Sequence, residues 1–200
     1  MSAGTKGVPR SVREVQLLDV ASEQIALAGY AGLSPARVAA AAGVSKPMVY
    51  LYFGSKDGLY AACVERAAAT VCDAIDSVVY EPARLEIMGE TLQAIFGALG
   101  ERRFDWNVLF DTTHPAAGPV AEIAVQARTR LAAQAARGTE AVLGVRGVVD
   151  PVDLSAFTEV WMATVAALVN WWFRHPDESA EAMTARARRL IGELLGVGSQ

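Results

Sequence analysis

Apolar residues recur along this chain at intervals of three and four, the spacing that lines one side of an α-helix, and no stretch alternates with the period of two that a half-buried strand needs. Over residues 10–28 the stripe is Val12, Val15, Leu18, Ala21, Ile25 and Ala28, and Gly29-Tyr30-Ala31-Gly32 ends it. Ser34 followed by Pro35 is a start signal, because serine caps free amides and proline suits a first helical turn. The helix it opens reaches about Ala41, with an interior of alanines that lets another helix approach closely. Gly43 frees the backbone for a tight turn, Val44 plugs the junction, and Ser45 caps a third helix with Pro47 in its first turn. Ser55 caps again, with Asp57 complementing the dipole of the next helix.

Leu59, Cys63, Ala67, Thr70, Ala74 and Val78 then share one stripe, which predicts a long helix to about residue 80. Leu85, Met88, Leu92, Ile95, Phe96 and Leu99 predict another. Residues 104–119 read as a broken helix carrying Trp106 and Phe110, punctuated by Pro115, Gly118 and Pro119. An alanine-rich helix over 120–136 precedes a loop at 138–151, of which residues 140–143 can extend the helix. Helices over 153–174 and 178–195 close the chain. The pattern predicts an all-α fold of about nine helices. A three-helix head, residues 1–60, is joined by the long helix to a helical-bundle body, residues 61–200, with the transition inside the 56–79 helix.

Composition sharpens this picture. Two hundred residues at 52% hydrophobic content suffice for a sizeable core, and a net charge of −4 excludes a protein that binds nucleic acid over its whole surface. The charge is unevenly placed, because all three lysines lie in the first 56 residues; residues 1–66 carry +2 and the remainder −6. Arg13 and Glu14 interrupt the N-terminal stretch after Lys6 and Arg10, which argues against a secretory signal. The apolar run 160–173 contains Thr164 and Asn170 and falls short of the roughly 20 residues of a membrane span. A cytoplasmic protein is expected. Cys63 and Cys72 lie nine apart on one helix, on nearly opposite faces, and read as two buried or half-buried thiols.

Segment 34–59 is a helix-turn-helix candidate, and several of its residues carry a resemblance. The Gly29-Tyr30 turn, the block Val38-Ala39-Ala40-x-Ala42-Gly43-Val44-Ser45, Tyr50, Phe53 and Ser55-Lys56-x-x-Leu59 together resemble the DNA-binding domain of the TetR family of bacterial transcriptional regulators. The match covers roughly residues 10–66 and departs at Pro47 and Met48, where family members more often carry small or polar residues. The resemblance implies a second helix lying in the major groove, with its leading residues at base edges. Ser45, Lys46 and Met48 occupy that end; Lys46 can donate to guanine, and Met48 offers an apolar contact to a thymine methyl. Tyr50 and Tyr52 fall where hydroxyls reach the DNA backbone, although either, Tyr52 before Tyr50, can instead be a core aromatic. Lys56 beside a capped helix start reads as a phosphate ligand, and Ser34 and Arg37 are expected near the opposite strand edge. Val38, Val44, Val49 and Phe53 belong to the head's core.

Two half-sites one helical turn apart, about 34 Å, call for a two-fold homodimer. Ala156, Ala163, Ala167, Asn170 and Arg174 form a small or polar face on the penultimate helix, suited to a dimer seam with part of 182–194, while Trp161, Val165, Leu168 and Trp172 form a bulky neighbouring face. In the family the body holds a small effector. Phe96, Phe104, Trp106, Phe110, Trp161 and Trp172 are the candidate lining, with Thr112, Thr113, His114, Asn170 and Arg128 as sparse polar anchors, which fits an apolar or aromatic ligand. Asp111 and His114 are structural or pocket-rim residues, since two ligands make no metal site, and His175 sits at a helix end. The reading is a ligand-responsive repressor acting as a homodimer on a palindromic double-stranded DNA operator, with no metal, cofactor or membrane partner. The alternatives are a regulator of the same build without a ligand, and a helical-bundle enzyme or carrier. The enzyme reading has neither HExxH, Glu-x-x-His nor a phosphate-cradling glycine loop to support it.

Overall fold

The computed structural model describes residues 8–194; Lys6, counted in the charge of the head, and Leu195, the expected last residue of the final helix, lie outside them. Among the described residues the chain is all-α, with helices α1 Arg10–Gly32, α2 Pro35–Ala41, α3 Lys46–Phe53, α4 Lys56–Asp76, α5 Glu86–Glu101, α6 Asp105–Leu109, α7 Pro119–Gly144, α8 Pro151–Phe173 and α9 Ala180–Leu194. Two compact units result. One comprises the chain up to Ala68 together with Phe104–Arg128, the other Ala69–Arg103 together with the chain from Thr129 onward. The sequence-based division placed everything after residue 60 in the body; in the structure residues 104–128 group with the head.

In the first unit the core is built by Leu17, Leu18, Ala21 and Ile25 of α1, Val38 and Ala39 of α2, Val49 of α3, Leu59, Tyr60, Cys63 and Val64 of α4, and Trp106, Val108 and Leu109 of α6. The buried stripe of α1 is rotated from the expected one: Val12 and Val15 are exposed, as is Ala28. The reason is polar. Buried Arg13 donates to the Gln16 side chain, and Gln16 donates to the Ala42 carbonyl at the end of α2, so the first turns of α1 meet the head through hydrogen bonds.

Gly29 breaks α1, with φ of 63° and ψ of −175°. A Cβ there would stand 2.1 Å from the Thr113 hydroxyl oxygen, so glycine serves both the left-handed backbone and the close approach. The break aims the Tyr30 N–H at Asp111. The Asp111 carboxylate, 8% exposed, accepts that N–H at 3.0 Å, the Tyr60 hydroxyl at 3.0 Å and the Thr113 N–H at 3.0 Å, while Arg128 donates to the Asp111 carbonyl at 3.4 Å. Burial, then the adjacent Asp111 charge, pushes the Tyr60 hydroxyl far above the ordinary tyrosine range, which keeps it a proton donor. A second tie runs from Arg66 of α4 to Asp19 at 2.6 Å and Ser22 at 3.0 Å on α1, with buried Asp105 of α6 at 3.7 Å. Both cysteines are buried and free, and burial pushes the Cys63 thiol up to about 12.

In the second unit α5 packs along α9. Ile87, Met88, Leu92, Ile95, Phe96 and Leu99 face Met183, Ala187 and Ile191, and Phe96 meets Trp172 edge-on at 5.5 Å. α4 ends at Asp76, short of the expected residue 80. α7 instead runs on to Gly144, over the first part of the stretch read as a loop, including residues 140–143 that were expected to be able to extend it. Gly138 lies inside it because the Tyr80 ring packs there, 3.2 Å from where a Cβ would be, and not because the helix stops. α8 buries Trp161, Val165, Val169 and Trp172. Its uninterrupted length exceeds the apolar run seen in sequence, and by length and composition alone it could cross a membrane, yet only 17% of its most apolar window is buried within the chain. Val152 and Val160 are 76% and 62% exposed.

Asp111→Ala leaves the buried Tyr60 hydroxyl and two part-buried amides without their acceptor and should lower unfolding free energy by about 3 kcal/mol in a urea titration, against about 1 kcal/mol for Tyr60→Phe, which removes one bond. Because the folded Tyr60 hydroxyl titrates above its unfolded value of 10.0, its contribution is complete below that pH and is lost as pH rises beyond it. The wild-type protein should therefore lose stability above about pH 10 more steeply than Tyr60→Phe.

Candidate nucleic-acid interface

The head presents α3 on a scaffold made by α1, α2 and the start of α4. Ser34 caps α2 by accepting the Arg37 N–H at 3.4 Å. Gly43, at φ of 65°, turns the chain so that the Val44 N–H returns to the Ala39 carbonyl at 2.9 Å. Val38 and Val49 are buried as expected of core residues, whereas Val44 and Phe53 are half-buried. Ser45 occupies the cap position of α3 without capping it through its side chain. Pro47 has no N–H to offer, and the Met48 N–H goes to the Ser45 carbonyl at 3.0 Å. The Ser45 hydroxyl is thereby left on an exposed surface without a helix amide to serve.

Lys46 is exposed, and its ammonium lies 5.6 Å from the centroid of the Tyr50 ring, itself 38% exposed. Met48 is half-buried. Tyr52 is also half-buried, stacked beside Phe53 at 6.0 Å, with the Arg10 guanidinium 5.3 Å from its ring. Of the two tyrosines, Tyr52 is thus the one turned partly inward. Two residues escaped sequence reasoning. Arg10, the first residue of α1, covers Tyr52, and its only signal was a basic residue opening a basic head. Leu51, 77% exposed, breaks phase with buried Val49, and that misfit was visible in the sequence.

Lys56 and Arg37 both serve the end of α1. Lys56 donates to the Ala31 carbonyl at 3.4 Å with its ammonium 4.2 Å from the Tyr30 centroid, and Arg37 donates to the Gly32 carbonyl. These cations satisfy carbonyls at a helix C-terminus, where positive charge is favoured. The Tyr30 hydroxyl donates to Asp57 at 2.6 Å; that bond, with burial and the Asp57 charge, raises its pKa to about 12. α4 starts against the end of α3. Ser55 accepts the Gly58 N–H at 2.9 Å, and a Cβ on Gly58 would lie 2.0 Å from the Phe53 carbonyl oxygen.

The other candidate residues divide between the units. Trp106 and Phe110 stack at 4.5 Å in the first, where Phe104 also lies, 38% exposed; Phe96, Trp161 and Trp172 belong to the second. Of the six aromatics, Trp172 lines a cavity of about 420 Å³ with Gly97, Glu101, Arg103 and Ser179. Thr113 and Arg128, read as polar anchors, are engaged with Asp111. Ala156, Ala163, Ala167 and Asn170 are exposed on α8, and Arg174, its C-cap, is exposed as well. The His175 Nδ1–H donates to the Trp171 carbonyl at 2.7 Å, and the ring stacks on that of Trp171 at 3.7 Å, which places it at the end of α8.

Two short helices across a glycine turn, the second exposing its N-terminal side chains above a packed core, define a helix-turn-helix head. The family model described as "Bacterial regulatory proteins, tetR family" matches residues 17–63. A TetR-like transcriptional regulator from Rhodococcus sp. RHA1 is 26% identical, with a TM-score of 0.71 over 96% of this chain and 100% of that one. A TetR-family regulator from Bordetella parapertussis 12822 has a TM-score of 0.74 at 17% identity, covering 91% and 94% of the two chains. The regulator FadR from Bacillus subtilis, solved in complex with stearoyl-CoA, has a TM-score of 0.71 at 17% identity, covering 93% and 99%. The match to the TetR family model thus falls on the helix-turn-helix head, and the chain as a whole shares the fold of regulators of that family.

Gly58→Ala should destabilise the head, although alanine is the better helix former by about 1 kcal/mol, because the methyl meets a backbone oxygen that cannot yield. A rise in melting temperature would contradict this close approach. In a spectrophotometric titration one tyrosine should ionise near 12, and Asp57→Asn should bring it down toward 10.0.

Proposed function

We propose that this protein is a repressor that binds a palindromic operator as a homodimer and releases it when a small effector occupies the body. The observation carrying the DNA-binding assignment is the leading edge of α3. There the Ser45 hydroxyl, the Lys46 ammonium and the Tyr50 ring stand exposed together on a core that holds them in place. Lys46 and Met48 read bases, Lys46 donating to guanine and Met48 packing on a thymine methyl. Ser34, Arg37, Tyr50, Tyr52 and Lys56 position the head on the phosphates. Arg37 and Lys56 each carry further donors beyond the one given to an α1 carbonyl, so they can bridge that helix end to a phosphate.

Dimerisation rests on α8. A 23-residue apolar helix left mostly uncovered by its own chain needs a protein partner, and the small residues Ala156, Ala163 and Ala167 allow a second helix to approach closely. The effector reading rests on aromatic side chains in the second unit and on the stearoyl-CoA held by the Bacillus subtilis relative of the same fold. A small apolar or aromatic compound fits such surroundings.

The test is fluorescence anisotropy with DNA from upstream of the gene, at two salt concentrations. Lys46→Ala should weaken binding by about 1–3 kcal/mol and relax preference at one base position, while Lys56→Ala should weaken binding to all sequences alike and lower the salt slope by about one. Unchanged affinity and base preference in Lys46→Ala would remove α3's leading edge from the interface. Ala163→Glu should convert a dimer to a monomer on a sizing column; a wild-type chain that runs as a monomer at micromolar concentration excludes the seam.

A further inference from the structure

Within the second unit, the end of α4 and the middle of α7 enclose a cavity of about 260 Å³ lined by Ile75, Asp76, Tyr80, Gln134, Arg137 and Ala141. Gln134 is 3% exposed, and its amide is fixed in orientation: Nε2 donates to the Cys72 carbonyl at 2.9 Å and to the Asp76 carboxylate at 2.6 Å. Both donors of the amide nitrogen are therefore committed. The amide oxygen is buried and has no donor. A buried carbonyl without a hydrogen bond is costly, and such groups in a native protein point to a missing partner.

The rest of the lining narrows what that partner is. Ile75, Ala141 and the Tyr80 ring supply apolar wall, and Gly138 lets the Tyr80 ring lie against α7. Asp76 accepts from Gln134 and, at 3.4 Å, from Arg130, so part of its charge is already met within the chain. Arg137 stands 3.9 Å from Asp76, too far for a hydrogen bond, with its side chain 66% exposed at the mouth. The lining thus combines a buried amide whose oxygen has no donor, an apolar wall and a guanidinium that Asp76 meets only at 3.9 Å.

We propose that this cavity binds a small aromatic carboxylate bearing a hydroxyl group, the hydroxyl donating to Gln134 Oε1 and the carboxylate pairing with Arg137. This deepens the effector reading, and its regulatory meaning rests on that reading. The hydroxyl supplies the donor that the Gln134 oxygen lacks, and the ring lies between Ile75, Ala141 and Tyr80. Guanidinium and carboxylate match in geometry and charge at a site only partly open to water.

The experiment is a methyl NMR titration of the DNA-free protein, following Ile75 and Ala141, with 4-hydroxybenzoate as probe and 4-methoxybenzoate and 4-hydroxybenzyl alcohol as comparisons. Saturable shifts at both methyls are expected, with a Kd on the order of 1 mM or tighter for about ten heavy atoms. Removing either the donor or the carboxylate should weaken binding about tenfold or more. Arg137→Gln, at an exposed position, should abolish the advantage of the carboxylate while leaving the fold intact, and Ala141→Phe should block binding by filling the space. No shift at 20-fold excess over that Kd, equal shifts with 4-methoxybenzoate, or a crystal structure in which only a water meets Gln134 Oε1 in the presence of the probe would overturn the site. Operator release is measured separately by anisotropy. Release by other compounds without shifts at Ile75 sinks this cavity and spares the effector reading; shifts without release spare the site and remove its regulatory role.

Discussion

The head is organised around one buried carboxylate. Asp111 is held by three donors from three places in the chain: the Tyr30 amide just past the break in α1, the Tyr60 hydroxyl on α4, and the Thr113 amide in its own loop. Among the described residues no cation pairs with it directly, so its charge is carried by dipoles aimed at it, an arrangement that works only while every donor stays in place. Gly29 is required for the same reason. Any side chain there would collide with Thr113, and without the left-handed turn the Tyr30 amide would continue the helix and face elsewhere.

That constraint reaches α3 through the end of α1. Tyr30, fixed at its amide by Asp111, is fixed at its hydroxyl by Asp57, and Lys56 lies across its ring. The start of α4 is thereby tied to the end of α1, and Gly58 presses the same turn against the last carbonyl of α3. Each contact is modest alone. Together they orient the exposed edge of α3 from two sides, with α2 and its glycine turn supplying the third, and residues outside the interface set the precision with which Lys46 and Tyr50 are presented.

Much of this was legible from residue types. Ser34-Pro35, Gly43, Pro47 and Ser55 mark the helix boundaries of the head because each acts through local chemistry that tertiary packing did not override. Where the sequence reading went astray, a tertiary contact intervened. Gly138 reads as a breaker and is a packing site for Tyr80; Val12 and Val15 read as core and are exposed because Arg13 and Gln16 make the contact in their stead. The grouping of Phe104, Trp106 and Phe110 with the head had no local signal, since it depends on Asp105 and Asp111 meeting residues far away in the sequence, Arg66, Tyr30 and Tyr60. Asp111 reads from sequence as structural or pocket-rim, and it is structural; its partners were not legible, because nothing in a sequence announces which donors will surround a buried carboxylate.

Saturation is what separates the two buried polar centres of this chain. Asp111 has an acceptor site for each donor aimed at it, and Tyr60 cannot readily lose its proton in that setting, so the centre is finished and rigid. Gln134 is built in the opposite way. Its amide nitrogen is locked by two acceptors, which forces the oxygen to face the interior with nothing to receive. An apolar residue in its place would forfeit both donor bonds, one of them to a carboxylate, so the nitrogen alone gives the amide a structural role. Its two donor bonds alone do not need that oxygen. A committed nitrogen, an idle oxygen and an adjoining cavity edged by the Arg137 guanidinium are the features on which the proposed ligand site rests.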